Sequence, residues 1–164
     1  MPDSEKPTDQ RVEVPDGLTN VLFDVWLVSR ATTALLDETL RPSGLDADEF
    51  AVYSVLASGD GMTPSDLAQW MSAPATTVSS YVKRFEARGH VRRAPHPDDG
   101  RSYLLQLTAA GRRVHGEAGA RFTPLLERVN RAGGTEVSET SRRLRDLHHA
   151  ITSLGNGAAD AAFD

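Results

Sequence analysis

Residues 72–111 read SAPATTVSSYVKRFEARGHVRRAPHPDDGRSYLLQLTAAG, and this stretch decides the fold. Val78, Val82 and Phe85 recur at intervals of four and three residues, which places them on one face of a helix. The opposite face carries short hydroxyl side chains and one flexible cation: Thr76, Ser79, Ser80 and Lys83. Such a face can approach base edges and phosphates closely, although an ordinary solvated helix face has a similar composition.

A β-hairpin is expected directly after this helix. Gly89 suits the left-handed conformation that ends a helix, and residues 91–94 form a short β-prone run. Prolines, aspartates and a glycine in residues 95–100 favour a turn, after which residues 103–107 alternate imperfectly between apolar and polar positions. The hairpin therefore carries arginines on both arms: Arg92, Arg93 and Arg101.

The charge distribution sets this segment apart from the rest of the chain. The 164 residues have a formal net charge of −5, but residues 72–101 hold six basic and three acidic residues. Residues 1–71 hold four basic and 13 acidic ones. Because counterion release depends on the charges at the contact, a local basic patch on an acidic protein suits DNA binding.

A second helix is predicted just upstream, because the residues at its start are typical of a helix N-terminus. Thr63 can cap it, Pro64 fits its first position, and Asp66 favours the positive end of the helix dipole. A very short turn follows, in which Ser72 can cap the next helix and Pro74 can begin it. This spacing is typical of a helix-turn-helix.

A third helix, farther upstream, completes a three-helix core. Asp46 and Glu49 form a capping-box pattern, and Phe50, Tyr53 and Leu56 follow as an apolar stripe. With the hairpin added, the predicted fold class is mainly α with a small β-hairpin wing: a winged helix-turn-helix domain with flanking helices.

At this point the chain resembles the multiple antibiotic resistance regulators, the MarR family, over roughly residues 18–154. The most specific part is DGRS at residues 99–102 followed by LTAAG at residues 107–111, which is similar to the family's wing signature D-x-R-S and L-T-x-x-G. TVSSYVKRFEARGHVRR, residues 77–93, is similar to the family's recognition helix and its exit into the first wing strand.

The resemblance implies a DNA-binding regulator, more often a repressor, whose wing enters the minor groove. Arg101 would lie on that wing with Asp99 orienting it, and Arg92 and Arg93 would flank it. The residues predicted to contact DNA are Thr63, Ser65, Thr76, Thr77, Ser79, Ser80, Lys83, Arg84, Arg92, Arg93, Asp99 and Arg101. Because Asp98 and Asp99 would repel phosphates, we expect these carboxylates to pair with the wing arginines.

Helices on either side of the winged domain predict a dimer. Apolar residues of 137–154 recur at heptad a and d spacing. A further helix runs from Thr108, which can cap it, to Gly133, and Pro124 can kink it. An N-terminal helix ends by Gly44. A second copy is expected to cover these apolar seams, as the family resemblance also implies; an intramolecular helical hairpin is the alternative. The predicted boundaries are a flexible tail at 1–15, a dimerisation helix at 16–45, the winged domain at 46–110, dimerisation helices at 111–154 and a flexible tail at 155–164.

The family resemblance also implies a small aromatic or phenolic effector, bound between the helical region and the winged domain. Trp26, Arg30, Tyr53 and His115 are the candidate ligand-binding residues, being aromatic, cationic or titratable. Core packing or a surface position is the alternative for each of them. His148 and His149 are adjacent and diverge by about 100° on a helix, so they do not form the i, i+4 pair that favours a metal.

Other classes of function find little support in the sequence. The chain has no cysteine, which excludes disulfides, zinc fingers and thiol switches. It has no Gly-rich phosphate loop or nucleophile elbow, so we expect neither an enzyme nor a cofactor. Without a recognisable signal peptide, a cytoplasmic protein is expected. The remaining alternative is a winged-helix module that binds protein and not DNA.

Overall fold

The computed structural model describes residues 20–160. It divides into two compact units, one ending at Leu35 and the other beginning at Leu36. The helices are α1 (Val21–Leu40), α2 (Ala47–Ala57), α3 (Pro64–Met71), α4 (Ala75–Ala87), α5 (Ala109–Gly133) and α6 (Val137–Asp160), the strands are β1 (Val91–Pro95) and β2 (Tyr103–Leu107), and short 3-10 helices cover Arg41–Ser43 and Gly134–Glu136. The predicted fold class is confirmed.

Local capping sets the ends of α2 and α3. The side chain of Asp46 accepts a hydrogen bond from the Glu49 N–H, and the Glu49 carboxylate accepts one from the Asp46 N–H, which confirms the capping box. Thr63 caps α3 by accepting from the Asp66 N–H, and Pro64 occupies the first helical position.

The turn between α3 and α4 differs from the prediction in two details. Ser72 adopts a left-handed conformation with φ 49° and ends α3, because its N–H bonds to the carbonyl groups at that helix's end. It therefore does not cap α4. Pro74 is the residue before the first turn, its carbonyl accepts from the N–H groups of Thr77 and Val78, and α4 begins at Ala75.

The wing is an antiparallel hairpin whose register runs from Val91 opposite Leu107 to Pro95 opposite Tyr103. An isolated bridge between Met62 and Leu105 attaches it to the segment before α3. Leu105 and Leu107 point into the core because alternate residues of a strand share one face. The hairpin is therefore anchored at its base, while its turn projects away.

One core holds α2, α3, α4 and the hairpin together. It contains Tyr53, Leu56, Leu67, Val78, Val82, Phe85, Val91, Leu105 and Leu107, all at most 4% exposed. The ring of Tyr53 packs edge-on against that of Phe85 at 4.9 Å between centroids. Val78, Val82 and Phe85, the predicted inner face of α4, are all buried, which confirms that prediction.

The start of α5 lies directly against the exit of α4. Thr108 caps α5 by accepting from the Gly111 N–H, and its hydroxyl donates to the Gly89 carbonyl at 2.7 Å. The Thr108 N–H donates to the carbonyl of His90, 2.9 Å away. Gly111 is buried against the same peptide group, so a Cβ there would overlap the His90 carbonyl oxygen.

The helix α5 ends at Gly133 as predicted, whereas α6 extends farther than the sequence indicated. α5 continues through Pro124, and α6 continues to Asp160, so residues 155–160, which we assigned to a C-terminal tail, are helical. Glycines in that segment lower helix propensity without blocking the hydrogen bonds, as a proline would. Residues 161–164 and the predicted tail at 1–15 lie outside the described residues. The other predicted boundaries stay predictions.

The apolar side of α6 is incompletely covered within one chain. Leu144 is 46% exposed, Ile151 39% and Leu154 75%, and Leu126 and Val129 of α5 are also exposed. Leu144, Ile151 and Leu154 are three of the six predicted heptad positions, the others being Val137, Thr140 and Leu147. No helix within residues 20–160 has the length and apolar character needed to cross a membrane.

Candidate nucleic-acid interface

The outer face of α4 is polar, exposed and free of carboxylates. Thr76, Thr77, Ser79, Ser80 and Lys83 are all exposed. The Ser80 hydroxyl donates back to the Thr76 carbonyl at 3.0 Å, so it remains available as an acceptor. This face has the small size and the positive charge that close approach to a DNA groove requires.

At the start of α3, one of the two predicted phosphate contacts already has partners within the protein. The Thr63 hydroxyl donates to the Asp66 carboxylate at 2.7 Å and accepts from the Asp66 N–H at 3.1 Å. Ser65, by contrast, is exposed on the first turn. Of the two predicted phosphate contacts in this helix, Ser65 therefore has the freer hydroxyl.

The strand arginines of the wing are held by neutral or acidic neighbours. Arg92 donates to the side-chain oxygen of Gln106 at 2.6 Å, and the Gln106 amide donates to the Asp60 carbonyl. Arg93 forms two hydrogen bonds to Glu86 of α4, at 2.8 and 3.1 Å, and its guanidinium lies 4.6 Å from the centre of the Tyr103 ring. Arg93 thus links both wing strands to α4.

Arg101 lies in the wing turn, and its side chain is exposed. The Asp99 carboxylate accepts the backbone N–H of Arg101 at 2.9 Å, and the Asp99 carbonyl accepts that of Ser102 at 3.0 Å. The expected pairing of the tip carboxylates with arginines is wrong: an aspartate is short enough to bond the amide two residues on, and Arg92 and Arg93 have other partners. Asp99 therefore shapes the turn through the backbone.

Arg84, another predicted DNA contact, is turned toward α2. Its Nε lies 3.0 Å from Oε1 of Glu49, and its guanidinium lies 4.9 Å from the centre of the Tyr81 ring. The Tyr81 hydroxyl donates to Asp48 at 2.9 Å. Among the ion pairs within residues 20–160, none involves Lys83 or Arg101, so of the predicted DNA contacts these two cations are the most available for phosphate.

The candidate effector residues differ in their exposure. Trp26 and Arg30 are exposed on the part of α1 that belongs to the first unit. Tyr53 is fully buried, and its hydroxyl lies 3.0 Å from Nδ1 of His90. Burial raises the pKa of Tyr53 to about 12, which suits a neutral core phenol. For Tyr53 the structure thus shows the packing role that the sequence left as the alternative.

His115 is half-buried on α5. Its Nε2 lies 3.0 Å from the Ser54 hydroxyl, and its ring stacks on Phe50 at 5.4 Å between centroids. Burial lowers the pKa of the His115 imidazole below its usual value. Within the described part of the chain, no group of three or more histidine, aspartate or glutamate side chains is arranged to hold a metal ion.

The lowered pKa of His115 predicts loss of stability in acid. Above the unfolded-state pKa of about 6.5 the imidazole is neutral in both states. As the pH falls below that value, the unfolded chain takes up a proton before the folded protein does, so the free energy of unfolding decreases until the pH has passed the lower folded-state pKa. Urea unfolding between about pH 7.5 and 5.5 should show this decrease, and it should be smaller in His115→Gln.

His90 contributes in the same direction, because burial, and then the charges of Arg88 and Arg113, lower the pKa of its imidazole. His115→Gln should therefore remove only part of the pH dependence. His148→Gln, on the exposed surface of α6, is the matched control. An equal pH dependence in the wild type and in His115→Gln would contradict the assignment.

Sequence reasoning missed several residues that organise this surface. Glu49 was recognised as a cap but not as the partner of Arg84 and Arg88, and Glu86 was not linked to Arg93. Glu86 and Arg93 are seven residues apart in different elements, while Glu49 is more than 30 residues from both of its partners. Patterns of helical or strand periodicity carry no signal for such pairs.

Comparison with known proteins agrees with this geometry. The sequence profile of the MarR family matches residues 43–102. The chain is 31% identical over 136 residues to an HTH-type transcriptional repressor of Mycobacterium tuberculosis, covering 80% of this chain and 92% of that protein. It is 29% identical over 87 residues to the multiple antibiotic resistance protein MarR of Escherichia coli, covering 53% of this chain and 60% of that protein.

A solved structure has the same fold. The M. tuberculosis transcriptional regulator MosR, in complex with DNA, superposes with a TM-score of 0.71 at 24% identity, covering 82% of this chain and 98% of that chain. The identity is low, so this likeness concerns the fold.

Proposed function

Because the chain belongs to the MarR family, we propose that it is a sequence-specific regulator of transcription that binds double-stranded DNA as a homodimer, and not an enzyme. Repression is the mode we propose, as in the related M. tuberculosis repressor, with the protein acting in the cytoplasm. The proposal is carried by two observations: the outer face of α4 has no carboxylate, and Arg101 of the wing turn is exposed and forms no ion pair within residues 20–160.

The proposed contacts follow the availability of each side chain. Thr76, Ser79, Ser80 and Lys83 would line the major groove, and Arg101 would enter the minor groove, where an easily desolvated guanidinium meets focused negative potential. Ser65 and the more constrained Thr63 would touch phosphate at the start of α3. Arg84, Arg92 and Arg93 would each have to leave an internal partner first, so we propose that they chiefly support the surface.

A homodimer accounts for the exposed apolar residues of the long helices. Ile151 and Leu154 are poorly covered in one chain, and burying such side chains typically contributes about 1.5–3 kcal/mol each. Two recognition helices about one DNA turn apart would then read a pseudo-palindrome. A small aromatic or phenolic effector that releases DNA remains part of the proposal, with Trp26, Arg30 and His115 as candidates.

Binding to DNA across a salt series tests this function. The purified protein is titrated with a duplex of its own upstream region and with an unrelated duplex of equal length. Affinity for the upstream duplex should exceed that for the control and fall on the order of 10³-fold between about 50 and 200 mM salt if six or more phosphates are engaged. No binding to either duplex at low salt would favour the protein-binding alternative.

Placing a carboxylate on the outer face of α4 should disrupt binding without disrupting the fold. Ser79 is exposed, so Ser79→Asp should change the free energy of unfolding by less than about 0.5 kcal/mol. Repulsion from phosphates should weaken specific binding by about tenfold or more. Ser138→Asp makes the same change on the first turn of α6 and is the control. Equal affinity of the two variants would place the interface elsewhere.

A further inference from the structure

A single buried carboxylate joins α2 to the recognition helix, α4. Glu49 is 1% exposed, and both of its oxygens have partners. Oε1 lies 3.0 Å from Nε of Arg84 and 3.0 Å from Nη1 of Arg88, while Oε2 accepts the Asp46 N–H at 3.3 Å. A buried charge is tolerated only when it is paired and hydrogen-bonded. These partners therefore stabilise the Glu49 carboxylate, and the carboxylate in turn fixes the positions of Arg84 and Arg88.

The two arginines lie one helical turn apart at the end of α4. Arg84 belongs to its last turn and Arg88 is the residue that ends it. Because one carboxylate binds both, α4 is fixed against rotation about its own axis at that point, as well as against sliding along α2. The neighbouring hydrogen bond from Tyr81 to Asp48 fixes the same face of α4 to α2 a second time.

The pairing also controls how much positive charge α4 presents. The Arg84 side chain is 44% exposed even when it is paired, and it follows Lys83 directly, so a guanidinium released from Glu49 would be free to turn toward the outer face. A free arginine binds phosphate regardless of base sequence. Holding Arg84 against Glu49 therefore limits the binding that carries no sequence information.

We propose that Glu49 is a specificity-determining positioning residue: it sets the orientation of the recognition helix and withholds Arg84 from the DNA backbone. This inference rests on the proposed function. Glu49 does not touch DNA in this arrangement. It acts through Arg84 and Arg88, and its removal should alter the ratio of specific to non-specific affinity.

Glu49→Gln tests the proposal, because it keeps the shape and removes the charge. Affinity for the specific duplex is expected to fall about tenfold, while affinity for the unrelated duplex stays equal or rises. The salt slope for the unrelated duplex should steepen by about 0.9 for each arginine that gains a phosphate. Glu117→Gln, an exposed residue paired with Arg113 on α5, makes the same charge change and controls for the overall charge.

Arg84→Gln is a second variant that leaves Glu49 paired with Arg88. If Arg84 positions the helix, specific affinity should fall while the salt slope stays as in the wild type. If Arg84→Gln instead weakened the affinity for both duplexes equally, and reduced the salt slope by about one for each Arg84 of the dimer, Arg84 would be a phosphate contact and the proposal would be overturned. Circular dichroism and the thermal midpoint of each variant establish that folded proteins are compared.

The outcomes separate the two hypotheses. Specific binding by the wild type together with an unchanged specificity ratio in Glu49→Gln overturns the role of Glu49 and leaves the proposed function standing. A wild type that binds neither duplex overturns both.

Discussion

Gly111→Ala is expected to lower the free energy of unfolding by about 3 kcal/mol, although it adds only a methyl group. The new Cβ would overlap the carbonyl oxygen of His90 and come 3.0 Å from its carbonyl carbon. That peptide group cannot move away freely, because its oxygen accepts the Thr108 N–H. Alanine is the better helix former by about 1 kcal/mol, so the steric term has to exceed that gain.

The same substitution at Gly116 separates the steric effect from helix propensity. Gly116 lies in α5, and a methyl group added to its Cα would have no neighbouring atom within 4 Å, so Gly116→Ala should leave stability equal or raise it by up to about 1 kcal/mol. Urea unfolding at one fixed protein concentration measures both variants, since a dimer's stability depends on concentration. Equal stabilities for Gly111→Ala and Gly116→Ala would show that α5 separates easily from the exit of α4 at this point.

Arg101→Ala is expected to weaken specific DNA binding on the order of 10²-fold, because a lost arginine contact costs about 1–3 kcal/mol and a dimer loses two. The side chain is exposed and has no ion-pair partner within residues 20–160, so its removal leaves no buried carboxylate behind. The backbone of the wing turn should persist, because Asp99 binds the N–H of residue 101, which alanine retains. The thermal midpoint should therefore stay near that of the wild type.

Arg145→Ala, another exposed arginine in α6, is the matched control for the charge change. Titration of both variants with the upstream and unrelated duplexes distinguishes two roles for Arg101. A larger loss on the upstream duplex indicates reading of the minor groove, and equal losses on both duplexes indicate a phosphate contact. If Arg101→Ala kept the full affinity for the upstream duplex, the wing turn would not be part of the DNA interface.

Features encoded by neighbouring residues were predictable from the sequence. The capping box of Asp46 and Glu49, the caps at Thr63 and Thr108, and the helix exit at Gly89 all depend on contacts within four residues, and each is confirmed. The inner face of α4 was predictable for the same reason, since its period of 3.6 residues is a property of a single element.

Errors arose where two local tendencies compete. Ser72 can either cap the following helix or end the preceding one, and the left-handed backbone at this position serves the second. Residues 155–160 combine glycines, which disfavour a helix, with alanines, which favour one, and the helix continues.

Contacts between distant segments were not predictable. Arg84, Arg92 and Arg93 look alike in the sequence, as arginines in a basic segment. Their partners, Glu49, Gln106 and Glu86, are brought to them by the packing of α2, β2 and α4. Which arginines have a partner within the protein therefore follows from tertiary structure, and the sequence pattern alone does not show it.

The junction of Thr108 and Gly111 with His90 couples the direction of α5 to the exit of α4. The helix has 25 residues and is about 37 Å long, and its first turn is clamped to the peptide group that leaves the recognition helix. If α5 moved as a rigid rod about this junction, a displacement of about 3 Å at its far end would correspond to a rotation of about 5° at its first turn. In such a movement, a shift at the distal end of α5 would reach the exit of α4 only as this small rotation.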